Sequence, residues 1–242
     1  MIPKLGEYIY PYPFFENHHS KLNPDGGTLI AVEGGDGAGK STFVKRLVNE
    51  VGEDNIVNCG NFIHAPWFKD ILLQFKYYNC DEYSFALLFT TALARFFTEE
   101  VADNLEAGNI VIVDRYILSI YAKGVIRGVS RDWLNNILNI FRKPDMTILI
   151  DTDVDVCLKR KINDNDILSY WECGCMLSND DSLRFSYDEA KYRAGFFNYQ
   201  SKIKEIMMDE INKMENVFLI NTSIKSNESI HRLIKEKYMN EF

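Results

Sequence analysis

The chain has 242 residues, 46% of them apolar, and a formal net charge of -8, enough for one sizeable core with nothing that reads as a linker between globular units. An acidic chain lacks the basic face that nonspecific DNA or RNA binding requires, so a nucleic-acid partner is not expected. No apolar run approaches the ~18 residues of a membrane span, and the N-terminus has neither the basic start nor the apolar stretch of a secretion signal, so a soluble, cytoplasmic protein is expected.

Residues 1–27 carry Tyr8, Tyr10, Tyr12, Phe14 and Phe15, interrupted by Pro11 and Pro13. The prolines forbid a long helix there, while so many aromatics are unusual for a disordered tail. The stretch reads as an extended arm packed on the domain or on a second subunit. The domain proper, 28–242, begins with TLIAVE at 28–33, a strand pattern, followed by GGDGAGKS at 34–41 and the helix-like TFVKRLVNEV. The spacing GxxxxGK[ST] between a strand and a helix marks a phosphate loop. Its glycines let successive N–H groups curl around a diphosphate, and the helix points its positive end at the same anion. Gly34, Asp36, Gly37, Ala38, Gly39, Lys40, Ser41 and Thr42 are the nucleotide-holding set. Lys40 would reach the β and γ phosphates of ATP, and the Ser41 hydroxyl would ligate Mg²⁺.

Further on, NIVN at 55–58, NIVIV at 109–113, MTILI at 146–150 and VFLI at 217–220 are short and doubly apolar, as parallel strands covered on both faces should be. Helix-like stretches lie near 83–107, 131–142, 187–213 and 227–238; Gly108 stops the first and Pro144 follows the second. The alternation gives a three-layer α/β domain with a largely parallel sheet, whose ligands belong at the carboxyl ends of the strands. Two strands end in aspartate. Asp114 is the better candidate for a second Mg²⁺ ligand, because Arg115 follows at once with a bidentate cation. Asp151 runs into TDVDV, which reads as a helix start with capping carboxylates. Five cysteines at 59, 80, 157, 173 and 175 make no disulfide framework; Cys173 and Cys175 could touch one metal or be plain loop cysteines.

These segments carry a specific resemblance. IAVEGGDGAGKST at 30–42 and VDRYILSIYAKG at 113–124 are similar to the phosphate loop and DRY segment of the thymidylate kinase family of P-loop nucleoside monophosphate kinases. The resemblance extends over about 28–238. It implies a P-loop kinase fold: a mostly parallel five-stranded sheet flanked by helices, with a lid over about 159–186. It also implies ATP and Mg²⁺, a nucleoside monophosphate acceptor and a homodimer formed through helices flanking the sheet. Asp36 would lie beside the acceptor, and Arg115, with Tyr116 next to it, against transferring phosphates. LLF at 87–89 makes Phe89 the platform for the acceptor base, and SYWE at 169–172 brings Trp171 and Glu172 over the acceptor sugar.

Departures from the family pattern shape the expectations. The base-reading arginine of the family falls at Leu93, with Arg95 two residues on, about 200° around the helix. Lys123 and Gly124 replace a tyrosine and a glutamine, and residues 58–69 hold no arginine, which leaves Arg95, Lys69 and Arg115 as candidates for the acceptor phosphate. Gly37 cannot supply a transition-state arginine, so that role passes to Arg160 in the lid, flanked by Lys159 and Lys161. Arg184 and Arg193 are either further phosphate clamps or plain surface arginines. Two alternatives stay open: a deoxynucleoside kinase with a hydroxyl acceptor, and a nucleotide-binding regulatory protein without transfer activity.

Overall fold

Five short apolar runs form one sheet in the computed structural model, which describes residues 22–52, 55–77, 81–163, 167–174 and 186–222. The aromatic part of the arm, most of the 173–186 insert, Arg184 and the helix expected over 227–238 lie outside these residues. In chain order the elements are β1 (Thr28–Glu33), α1 (Lys40–Val51), β2 (Val57–Gly60), α2 (Pro66–Tyr77), α3 (Glu82–Phe96), α4 (Ala102–Glu106) and β3 (Ile110–Asp114). There follow α5 (Ile117–Ile126), α6 (Arg131–Leu138), β4 (Met146–Asp151), α7 (Val154–Asn163), the short α8 (Tyr170–Cys173), α9 (Glu189–Ile211) and β5 (Val217–Asn221). All pairings are parallel, in the order β2-β3-β1-β4-β5.

Strand periodicity divides the core in two. Leu29, Ala31, Val111 and Val113 face one way, toward α3, α5 and α9; Ile30, Val32, Ile112 and Ile148 face the other, toward α1 and α7. Register then sets the chemistry: Val32 pairs with Asp114 and Glu33 with Leu149, so Glu33, Asp114 and Asp151 reach the same edge of the sheet.

Several boundaries differ from the sequence reading; α6, for one, ends at Leu138 rather than near 142. The second strand begins two residues late, because Ile56 is buried in the α1-side cluster before pairing starts, and its register shifts between Asn58 and Gly60. Helix α2 carries no strong start signal except Pro66, which suits a first helical position where the missing N–H is not needed. The stretch expected as one helix over 83–107 is broken by a π turn at Phe97–Val101. Asp81 caps α3 by accepting from Tyr83 N and Ser84 N, at 3.0 and 2.9 Å. The start of the described chain is tied down by Arg142, whose guanidinium donates to the Pro24, Gly26 and Gly27 carbonyls.

Candidate active site

The end of β1 delivers the phosphate loop. Gly34 and Gly37 have φ of 146° and 78°, and a Cβ on either would lie 2.7 Å from the Ile150 carbonyl oxygen or 2.9 Å from that of Cys157. Only glycine fits there. Gly39 precedes the first turn of α1, which therefore opens its N–H groups on the loop.

Lys40 is not the exposed point charge that the motif suggests. Its side chain is buried and its Nζ donates to the Gly35 carbonyl at 2.6 Å. Burial, with Arg115 nearby, lowers its pKa to about 8 against the pull of Asp36, Asp114 and Glu33.

Asp36 is the hub of the site. Its carboxylate accepts a short bond from Arg115 and another from Gln200 Nε2 at 3.0 Å, while its own N–H donates to Gln200 Oε1 at 2.9 Å. Lys123 stands 4.0 Å away. Burial alone would raise the Asp36 pKa; Arg115, Lys123 and Lys40 overcome it and hold the carboxylate well below its usual range. Arg115 itself has φ of 74°, a strained conformation for a side-chain-bearing residue. Its N–H donates to the Val32 carbonyl at 2.9 Å, and its guanidinium also reaches the Gly34 carbonyl and Ser119 Oγ, each at 3.3 Å. These bonds turn the guanidinium back over the loop.

Behind them lies Glu33, which the sequence reading did not single out. It is almost wholly buried, and it accepts from Tyr116 N at 3.0 Å, Ser119 N at 3.2 Å and Ser119 Oγ. Helix α5 has no side-chain cap of its own; Glu33 supplies one from β1. Burial raises its pKa despite the bonds from Ser119 and the charge of Arg115.

Ser41 Oγ donates to Asp114 Oδ2 at 2.6 Å, and the other oxygen, Asp114 Oδ1, is buried without a partner. A hydroxyl and a carboxylate with a spare oxygen form a donor set suited to Mg²⁺. Asp151 is engaged elsewhere, with Lys204 Nζ at 2.5 Å.

On the lid side, Arg160 leans over the phosphate loop, donating to the Ala38 carbonyl at 3.1 Å and to Thr222 Oγ1 at 3.4 Å. Glu172 closes a capping box with Ser169 and pairs with Lys161 at 2.7 Å. Its carbonyl accepts from Gln200 Nε2 at 2.9 Å, so one glutamine of α9 joins the lid to Asp36. Trp171 stacks on Phe85 of α3, with ring centroids 5.8 Å apart.

Several sequence-derived assignments fall elsewhere. Tyr116 is fully buried against Phe97 and Phe141 with its hydroxyl on the Arg142 carbonyl, a core position rather than an acceptor contact. Arg95 faces outward, paired with Glu99 at 2.8 Å and lying over Trp67, because two residues beyond Leu93 the helix has turned away from the pocket. Lys69 is exposed on α2, and Arg193 pairs with Glu189 at 2.5 Å on the surface. Phe89 is 4% exposed within a cluster of Phe62, Phe68 and Phe85, with Lys123 Nζ 5.8 Å from its ring centre, so it packs as a core residue at the edge of the site. Cys173 is buried, with its thiol on the Tyr192 carbonyl. Conversely, Lys123 and Gln200 join the site, and only the first had shown in the sequence, as a departure from the family pattern.

A phosphate loop at the end of a central parallel strand, with buried cations and a Mg²⁺-type donor pair around it, defines a P-loop phosphotransferase. The thymidylate kinase family profile matches residues 32–170, and the chain belongs to that family. It is an ATP-dependent nucleoside monophosphate kinase. It is 29% identical over 194 residues to a protein of Saccharolobus solfataricus described as "Probable thymidylate kinase 2", covering 80% of this chain and 86% of that one. Among the described residues no helix is long and apolar enough to cross a membrane.

Proposed function

We propose that the acceptor is bound through its phosphate by Arg115 and Lys123, and that Asp36 fixes both cations before it arrives. The observation that carries this reading is their convergence on Asp36: Arg115 bonds to the carboxylate and Lys123 stands 4.0 Å from it. A carboxylate held ionised by these cations is a poor general base, and residues 56–69 contain no carboxylate. A hydroxyl acceptor would need such a base; a phosphate at pH 7 is already anionic and needs only cations and alignment.

On the donor side Lys40 and the loop N–H groups would hold the β and γ phosphates of ATP, and Arg160 would reach the transferring group from the lid. Ser41 and Asp114 would hold Mg²⁺, which neutralises charge between those phosphates. Exposed Leu73, Tyr83 and Leu87 on α2 and α3 support a homodimer through that face.

The test is incubation with ATP, Mg²⁺ and a panel of nucleosides and nucleoside monophosphates, with ADP and product separated by chromatography. Monophosphates, thymidylate among them, are phosphorylated and free nucleosides are not. Product from nucleosides alone would place the chain among hydroxyl-phosphorylating kinases, and no product from either would leave a nucleotide-binding regulator.

A further inference from the structure

Gln200 is 2% exposed in the middle of α9, and an amide buried so deeply has to find its partners inside the protein. Phe196, Tyr199 and Ile203, each almost wholly buried, fix this stretch of the helix, so the amide is delivered from a rigid element. Its Oε1 accepts from Asp36 N at 2.9 Å, while Nε2 donates to Asp36 Oδ2 at 3.0 Å and to the Glu172 carbonyl at 2.9 Å. Gly35 is what lets it approach the loop, since a Cβ there would stand 3.1 Å from Gln200 Oε1. Asp36 is thus gripped at three points, Oδ1 by Arg115 and both Oδ2 and the main-chain N–H by one amide.

Lys123 Nζ stands 4.0 Å from Asp36 Oδ2, close enough to feel its charge but beyond a hydrogen bond. In a site so shielded from water, an ammonium and a carboxylate gain by closing that gap. Rotation about the Asp36 side-chain bonds is what would bring them together, and the hold of Gln200 on both Oδ2 and the neighbouring N–H opposes it. The bond to Glu172 fixes the amide in turn, because it engages the second Nε2 hydrogen and leaves the group no freedom to turn away. We infer that Gln200 is a positioning residue for the acceptor: by anchoring Asp36 Oδ2 it keeps Lys123 from collapsing onto that carboxylate and leaves the ammonium hydrogens for the incoming phosphate. Its partners on the loop and the lid explain why a polar side chain occupies an otherwise apolar face of α9.

The inference rests on the proposed role of Lys123 at the acceptor phosphate, and its test separates the two. Steady-state kinetics with thymidylate, dUMP, dCMP, dGMP and dAMP as acceptors compare the parent, Gln200→Met, Lys123→Met and the double variant. Methionine keeps the unbranched shape of glutamine and removes the amide. Gln200→Met should raise acceptor KM about tenfold, by the same factor for every base that is used because the phosphate is common to all, with ATP KM within about twofold of the parent's. On the Lys123→Met background the same substitution should add less than about twofold, since the ammonium that would collapse is gone. Gln200→Asn, one methylene too short for both contacts, should repeat this pattern and serves if the methionine variant folds poorly. A tenfold rise that persists in full without Lys123, equal losses against ATP and acceptor, or a parental acceptor KM in the Gln200 variants each overturns the inference and leaves the acceptor reading standing. An acceptor KM unchanged by Lys123→Met, or a parent that phosphorylates none of the five, sinks both.

Discussion

Replacing Lys40 with methionine should abolish catalysis and at the same time relieve the folded state of a buried charge. Removing a group that stabilises transition-state charge costs about 100-fold or more in kcat. The stability effect has a sign fixed by the pKa. Burial lowers the Lys40 pKa to about 8 in the folded protein against 10.5 for an unperturbed lysine, so between those values the unfolded chain holds one more proton. Its contribution therefore disfavours folding below pH 8, and stability recovers as pH rises toward 10.5. The full span is about 3 kcal/mol. Against this, methionine leaves the Gly35 carbonyl without its 2.6 Å donor, a loss of about 1–3 kcal/mol. Near pH 7 the two terms nearly offset, so the melting temperature of Lys40→Met should match or exceed the parent's. Toward pH 10 the parent should gain on the variant by roughly 5–10 °C. Melting curves of both proteins from pH 6.5 to 10.5 test this by difference, which cancels titrations they share. Parallel curves, or a variant several degrees less stable at pH 7, would refute the claim that Lys40 is held buried and electrostatically unfavourable.

Asp36→Asn leaves Arg115 and Lys123 as buried cations without their anion and should destabilise the fold by about 3–5 kcal/mol, read from denaturant unfolding; a change below about 1 kcal/mol would mean that water reaches both. Asp114→Asn keeps the acceptor for Ser41 Oγ but removes the charge, so the Mg²⁺ concentration for half-maximal activity should rise at least tenfold while the melting temperature barely moves. Phe89→Ala should behave as a core truncation, with a loss of roughly 3–5 kcal/mol, and not as a selective rise in acceptor KM at constant stability.

The sheet and the phosphate loop were legible because they obey local rules: doubly apolar runs of four to six residues, and glycines spaced for backbone curvature. What escaped was chemistry assembled across the chain. Gln200 lies 164 residues from Asp36, and a lone glutamine in a long helix carries no signal until the fold brings it to the loop. Glu33 reads as the polar end of a strand; that it caps α5 depends on the β1–β3 register. Tyr116 misled for the opposite reason. Adjacency to Arg115 suggested a shared task, yet the positive φ at Arg115 sends successive side chains in different directions, the guanidinium to the loop and the phenol into the core.

The charge arrangement explains why so much unfavourable burial is tolerated. Burial lowers the pKa of Lys40 and of Lys123 even with Asp36 beside them, so the carboxylates around the site do not fully compensate these two cations. Glu33 adds little, since burial raises its pKa and its oxygens are occupied by α5. On the proposed reading the balance improves when two phosphates enter, one on the loop and one between Arg115 and Lys123. Each substrate thus supplies anions that the empty site lacks, in a setting where water has largely been excluded and electrostatic terms are strong. Binding and catalysis then draw on the same imbalance: the cations are fixed by Asp36, Gln200 and the strained backbone at Arg115 before substrate arrives, so little reorganisation is left for the moment of transfer. A neutral site of the same shape would be more stable and would bind phosphates less well, which is the sense in which the instability at Lys40 is functional.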